Sequence, residues 1–267
     1  MSVIKLIISD IDGTILDQKH QLDSHLLELM PLLKQSEIPF VLASARSPLG
    51  IAPISKELGI TDFPIASYNG ALISTDDKIL SQHTINKKEL LLLHDFLTKE
   101  FPTVSINVYS GKDWYVNALD KWVEIEAQIT GESPQVTSLA DFLQDEKNLI
   151  HKLLLIDNAA TIQKLKETLA TIDFPQTDFY LSKDNYLEVT HNQVSKKQAL
   201  LELANYYQLS LTEIMSIGDN YNDIPMIETA GLGVAMGNAP TDVKVCANKV
   251  TDSNDQNGVS KAIKLYV

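Results

Sequence analysis

Short apolar runs alternate with amphipathic stretches along the first third of the chain. Leu6 to Ser9 is a strand-length apolar run, Leu26, Leu27, Leu29, Met30 and Leu33 recur at helical spacing, and Phe40 to Ala43 is again strand-like. Helical spacing returns from Ile51 to Leu58, and Pro64 to Ser67 predicts a third strand. A β-α-β-α-β order predicts a parallel sheet with helices on its faces, because a crossover helix is what brings the chain back alongside its previous strand. Asn69-Gly70, between SY and ALIS, predicts a hairpin.

From about Ile85 the rhythm changes. Asn86 can cap a helix through Leu90, Leu93, Phe96 and Leu97; strand-like VSINVY (104–109), a helix over 118–129 and strand-like HKLLLI (151–156) follow. A helix over 162–169 then precedes strands near 179–181 and 186–189. These units can build a sheet of their own, so the expected organisation is a core of residues 1–83 and 189–267 interrupted by an inserted domain, 84–188. After Ser195 the βα alternation returns, with IMSIGD (214–219) and LGVAM (232–236) as strands. The fold class expected is α/β, a doubly wound parallel-sheet core with an inserted α+β domain.

Composition narrows the function classes. A length of 267 residues suits one large domain or a core with an inserted module, and 44% hydrophobic with 21% charged residues is ordinary globular composition. A net charge of -13 argues against nucleic acid as the main partner, since binding a phosphate backbone needs clustered Lys and Arg. Cys246 is the single cysteine, which excludes an intrachain disulfide and a cysteine-rich zinc site. The opening MSVIKLIISD is too short and too soon acidic for a signal peptide, and no apolar run reaches membrane length. The expectation is a cytoplasmic protein with no membrane or protein partner.

In an open parallel sheet, ligands bind beyond the carboxyl ends of the strands. Polar stretches fall at four such places: SDIDGT, LASAR, VSKKQ opening a helix, and SIGDNYND. Asp10 and Asp12 close the first strand, where a carboxylate is costly unless paired or bound to a cation. Gly13-Thr14 let the backbone turn sharply there. Asp219 closes a later strand, and Asp223 follows it at the start of a helix. Either aspartate of DID alone reads as a cap or turn former; together with Asp219 and Asp223 they call for a counter-ion, and hard oxygen ligands without a cysteine cluster point to Mg²⁺. Arg46 is the sole arginine of the chain. Its planar fork suits bidentate binding of phosphate or another substrate oxyanion, and a lone arginine left in a lysine-biased composition is the equal alternative.

Taken in order, DIDGT, the LAS of LASAR, VSK and GDNYND resemble the four motifs of the haloacid-dehalogenase-like phosphatases. SYNGALI, the long insertion, MGNA and NGVSKAI resemble the Cof-type branch. The resemblance implies Asp10 as the nucleophile that forms an aspartyl phosphate and Asp12 as the general acid/base. It implies Mg²⁺ held by Asp10, Asp219 and the Asp12 carbonyl, with Asp223 supporting the metal or its waters. Ser44 and Lys196 match the phosphate-binding hydroxyl and ammonium, Asn222 a polar residue that holds the lysine or the phosphate, and Ala45 and Arg46 complete the expected phosphate- and substrate-binding loop. The inserted domain corresponds to a cap, and the substrate to a small phosphorylated metabolite of the sugar, nucleotide, flavin or pyridoxal phosphate type.

Departures are Ser44 where Thr is commoner, Ala45 where Gly is usual, and Lys197 where a small residue often follows the lysine; none removes a reactive group. A phosphomutase of the same superfamily and a non-enzymatic phospho-receiver are the alternatives. The DxD spacing and the insertion speak against the receiver. His191 reads as structural, and Trp114, Tyr115 and Trp122 as core.

Overall fold

The computed structural model describes residues 3–267. In chain order its first elements are β1 (Leu6–Ser9), α1 (Ser24–Gln35), β2 (Phe40–Ala43), α2 (Pro48–Glu57), β3 (Ile65–Ser67), β4 (Leu72–Ser74) and β5 (Ile79–Gln82). Next come α3 (Lys87–Glu100), β6 (Ser105–Ser110), β7 (Asp113–Val116), α4 (Lys121–Thr130), β8 (Gln135–Val136), α5 (Leu139–Gln144), β9 (Lys152–Ile156), α6 (Ala159–Leu169), β10 (Thr177–Lys183) and β11 (Tyr186–His191). The chain closes with α7 (Lys196–Tyr207), β12 (Ile214–Gly218), α8 (Ile224–Thr229), β13 (Leu232–Ala235), α9 (Thr241–Cys246), β14 (Lys249–Val250) and α10 (Gly258–Tyr266). Two units separate: residues up to Arg46 with Ile51–Ser81 and Ser195–Val267, and Ser47–Gly50 with Gln82–Val194.

The first unit is built on an eight-stranded sheet in the order β14-β13-β12-β1-β2-β3-β4-β5. Neighbours from β14 to β3 run parallel, and β4 turns back antiparallel to β3. The uninterrupted apolar character of β1 has a direct cause. Ile7 packs on one side with Phe40, Leu42, Met215 and Ile217, while Leu6 and Ile8 pack on the other with Val41, Ala43 and Leu200. A strand covered on both faces has no polar side to alternate with. Local chemistry sets the ends: Asp23 Oδ1 accepts from His25 N (2.9 Å) and Leu26 N (3.2 Å) to start α1, and its Oδ2 accepts from Ser260 N (3.1 Å) of α10. The chain steps from β1 to β2 on one side and returns as β12 on the other, so the winding direction reverses at β1. That reversal opens a crevice at the carboxyl ends of β1 and β12.

The second unit carries a six-stranded sheet, β10-β11-β9-β6-β7-β8, antiparallel except where β8 joins β7. One face packs Val108, Leu153, Leu155, Leu187 and Val189 against Leu90, Leu93 and Leu97 of α3 and Ile162, Leu165 and Leu169 of α6. The expected helix over 118–129 begins at Lys121, because Asp120 Oδ1 accepts from Trp122 N (2.8 Å) and Val123 N (3.0 Å) and so fixes its start. Trp114 is interior, donating to Asn107 Oδ1 at 3.1 Å, and Tyr115 lies 4.2 Å from Phe142, centroid to centroid. Trp122 is half-buried. His191 accepts from Gln193 N at 3.1 Å, a local turn contact.

Candidate active site

Four loops of the first unit meet at this crevice. Asp10 extends the ladder by one step, its N–H donating to Ile217 O at 2.9 Å, and its side chain is buried. The chain then coils tightly: the N–H groups of Thr14, Ile15 and Leu16 all donate to Ile11 O. Gly13 makes this possible. Its φ is +79°, and a Cβ there would collide with the Asp219 carboxylate. Thr14 Oγ1 donates to Asp219 Oδ1 (2.9 Å) and lies 3.4 Å from Asp10 Oδ2, tying the two strand ends together.

Lys196 opens α7 and is 1% exposed. A lysine in a first helical turn faces the unfavourable end of the helix dipole, and two carboxylates compensate: its Nζ donates to Asp10 Oδ1 and to Asp223 Oδ1, the latter at 2.6 Å. Burial alone would pull this ammonium down, but Asp10 and Asp223 outweigh it and the pKa is raised. Asp223 is fully buried, and its Oδ2 accepts from Asp219 N (3.0 Å) and Asn220 N (2.9 Å). Burial pushes the Asp10 carboxyl up to about 8, Lys196 working against this and Asp223 and Asp219 adding to it. Asp219 is raised as well, chiefly by burial, with the Thr14 hydrogen bond opposing it.

The tight packing of this corner gives a prediction. A Cβ on Gly218 would stand 2.5 Å from Asp223 Cβ and Cγ. Gly218→Ala is therefore expected to push Asp223 off Lys196 and to lower stability by about 1–3 kcal/mol, read from the midpoint of urea denaturation.

Asp12 is not part of this buried knot. Its carboxylate is about half exposed and is gripped by Arg46, Nε to Oδ2 at 2.8 Å and Nη2 to Oδ1 at 2.6 Å. The fork geometry expected of the sole arginine is present, with a protein carboxylate as its partner. Ser44 is buried and its Oγ accepts from Arg46 N at 3.2 Å; Ala45 is half-buried in the same loop. Asn222 Nδ2 donates to Asn69 Oδ1 at 3.3 Å, and of the two partners expected for it, the lysine is held by Asp10 and Asp223. Lys197 is exposed.

Three further residues belong to this assembly. Asn69 sits in a left-handed turn with Tyr68 (φ 58° and 54°), and the N–H groups of Tyr68 and Asn69 donate to Arg46 O (2.9 Å) and Ser44 O (2.7 Å). A positive φ is costly for a bulky residue such as Tyr68, so this turn is held in place by its contacts with the Ser44–Arg46 loop. Asn238 donates to Gly13 O at 2.8 Å and lies 3.5 Å from Asp219 Oδ2, and Asn254 supports it. Asn69 and Asn238 lie in SYNG and MGNA, stretches legible as motifs but without a chemical signature of their own.

One carboxylate oxygen from each of Asp10, Asp219 and Asp223 lies within 4.8 Å of the others. Three carboxylates gather beside one buried ammonium, which pairs with the buried Asp10 and Asp223 while Asp219 next to them is partly buried, an excess of negative charge, and the donors are all hard oxygens. The residues therefore fit a hard divalent cation. Asp223 already has donors on both oxygens, whereas Asp10 and Asp219 are less fully engaged.

Comparison with known proteins agrees with this chemistry. A family model of haloacid dehalogenase-like hydrolases matches residues 7–263. A Haemophilus influenzae protein whose name classes it with phosphatases is 34% identical over 258 residues, covering 96% of this chain and 95% of the relative. The Bacillus subtilis phosphatase YwpJ is 30% identical over 293 residues, covering 98% and 99%. A crystal structure of a haloacid dehalogenase-like hydrolase from Bacteroides thetaiotaomicron superposes with a TM-score of 0.89 at 30% identity, covering 99% of this chain and 100% of that one. With its four loops at one switch point of a parallel sheet, the chain belongs to the haloacid dehalogenase-like hydrolase family, in the Cof-type phosphatase branch.

Proposed function

We propose that the protein hydrolyses small phosphate monoesters with the help of Mg²⁺, passing the phosphoryl group through Asp10. The observation that carries this reading is the buried knot of Asp10, Asp219 and Asp223 around a single ammonium at the crevice between β1 and β12. Asp10 and Asp219 would hold the cation, with the Asp12 carbonyl beside them, and Asp223 would support the site by fixing Lys196 and the Asp219 loop. When bound, Mg²⁺ neutralises the excess carboxylate charge and draws a phosphate dianion to the site.

The remaining steps belong to the chain's own residues. A carboxylate oxygen of Asp10 forms the bond to phosphorus as the bond to the ester oxygen breaks, and Asp12 gives that oxygen a proton. Water then attacks the aspartyl phosphate, Asp12 takes its proton, and inorganic phosphate leaves with Asp10 restored. Lys196 keeps Asp10 oriented and offers positive charge to the phosphoryl oxygens. Ser44, Ala45 and Arg46 line the loop that receives these oxygens, and Asn222 braces it through Asn69. In the structure Asp12 is a carboxylate paired with Arg46, so it takes up from solvent the proton it donates as that ion pair opens on substrate binding, and recovers that proton from the attacking water at the end of the cycle. Residues 84–188 act as a cap domain that selects the leaving group among sugar, nucleotide, flavin and pyridoxal phosphates.

A screen of such esters with and without Mg²⁺ tests this. Activity is expected to vanish in EDTA, to return with Mg²⁺ and to return poorly with Ca²⁺, whose larger and looser coordination spoils in-line geometry. Full turnover in EDTA would overturn the metal assignment.

A further inference from the structure

Asn238 is placed to act on the proposed cation site without touching the cation. It follows the end of β13, where Met236 N donates to Gly218 O at 3.0 Å, next to Asp219. The orientation of its amide is fixed, because Asn254 N–H donates to Asn238 Oδ1 at 3.0 Å and so assigns the opposite corner to the NH₂ group. That NH₂ donates to Gly13 O at 2.8 Å and reaches toward Asp219 Oδ2 at 3.5 Å. Asn254 in turn is nine-tenths buried, and its own amide donates to Leu16 O at 2.9 Å. Two asparagines from the C-terminal part of the chain thus clasp both ends of the Gly13–Leu16 coil, and one of them also faces Asp219.

The Gly13–Leu16 coil and Asp219 also meet through Thr14 and through the close approach that excludes a Cβ at Gly13. We infer that Asn238 is a positioning residue that sets divalent-cation affinity by holding the turn after Asp12 at a fixed separation from Asp219. A carboxylate that must be brought into place from several orientations binds an ion more weakly than one already held. Loss of a group that orients a metal ligand commonly weakens binding about 10- to 100-fold. The contacts of Asn238 are with Gly13, Asp219 and Asn254, so its effect should fall on the cation and not on the ester.

This rests on the Mg²⁺ site proposed above, and the experiment separates the two. Mn²⁺ binding to the full chain is measured by electron paramagnetic resonance, without substrate, for wild type, Asn238→Ala and Asn238→Ser. Wild type is expected to bind one Mn²⁺. The Kd should rise at least about 10-fold in Asn238→Ala and by less in Asn238→Ser, which keeps a donor. The KM for a phosphate ester at saturating metal should stay within a factor of about three, the residue having no part in ester binding. If wild type binds no Mn²⁺, the metal reading fails and this inference falls with it. If wild type binds and Asn238→Ala binds equally well, the positioning role alone is refuted. A raised KM with unchanged Kd would make Asn238 a substrate contact and also overturn the inference. Should Asn238→Ala fail to fold, as judged by circular dichroism, Asn238→Ser decides: its Kd must still rise.

Discussion

Asp10→Asn is expected to lose steady-state phosphate release by a factor on the order of 10⁴ or more, the scale seen when a nucleophile is removed from a hydrolase. The amide keeps the shape of the side chain, and its oxygen still accepts from Lys196, so the knot should close around it. What is lost is the lone-pair charge that attacks phosphorus. The fold should not suffer. Without metal, three carboxylates lie within 4.8 Å of one another with one ammonium, paired to Asp10 and Asp223, among them, and removing one carboxylate relieves repulsion. The metal-free variant should therefore melt at least as high as wild type, a trade of stability for function common at active sites. Steady-state turnover near wild type in a preparation shown by mass spectrometry to be free of deamidation would refute a covalent role for Asp10.

Asp12→Ala should discriminate between leaving groups. A sugar alkoxide needs a proton as it departs, whereas p-nitrophenolate leaves without one, and general acid help is typically worth about 10²- to 10⁴-fold. Rapid-quench measurement of the first step should show a loss of that order for the sugar ester and far less for the aryl ester. Water also loses its base, so the aryl ester should leave phosphorylated Asp10 standing long enough to appear as a mass increment. Removing the Asp12 carboxylate takes away one partner of Arg46, and Arg46→Ala supplies the comparison: it frees Asp12 with its carboxyl intact, so any weaker phosphate binding it causes should slow both esters alike, unlike the loss of the proton donor. Equal slowing of the first step by Asp12→Ala on both esters would mean that Asp12 only shapes the loop.

The core elements and the chemistry of the site were legible in the sequence for a shared physical reason. Strands buried on both faces read as unbroken apolar runs, and carboxylates at their tips stand out because burial tolerates them only with partners. Asp10, Asp219 and Asp223 stood out this way and Lys196 through the resemblance, and the structure gathers all four. The contacts that define their geometry were not legible. Asn238 and Asn69 are ordinary loop asparagines by sequence, and their place depends on pairing between segments far apart in the chain. Asn222 contacts Asn69, itself placed by the turn at Tyr68–Asn69, a pairing that no local pattern announces. In the second unit, β7 was hidden because it spans only Asp113–Val116, although Gly111, with φ +59°, supplies the left-handed first position of its hairpin turn. The short helix α5 was hidden because it spans only Leu139–Gln144, too few residues to display a period.

The central place of β1 bears on how the chain is made. Its two neighbours in the sheet are β2, which follows within a few dozen residues, and β12, which begins at Ile214. During synthesis from the N-terminus, β1, β2 and β3 emerge early, while the other edge of β1 has no strand to pair with until most of the chain has left the ribosome. That edge is Leu-Ile-Ile-Ser, short, uncharged and apolar, the kind of edge that invites pairing with other chains. Residues 82–194 are contiguous and enclose a core of their own, so they can fold in the interval. The same late pairing means that Asp219 and Lys196 reach Asp10 only after β12 has paired, so the nascent chain lacks the acidic cluster until then.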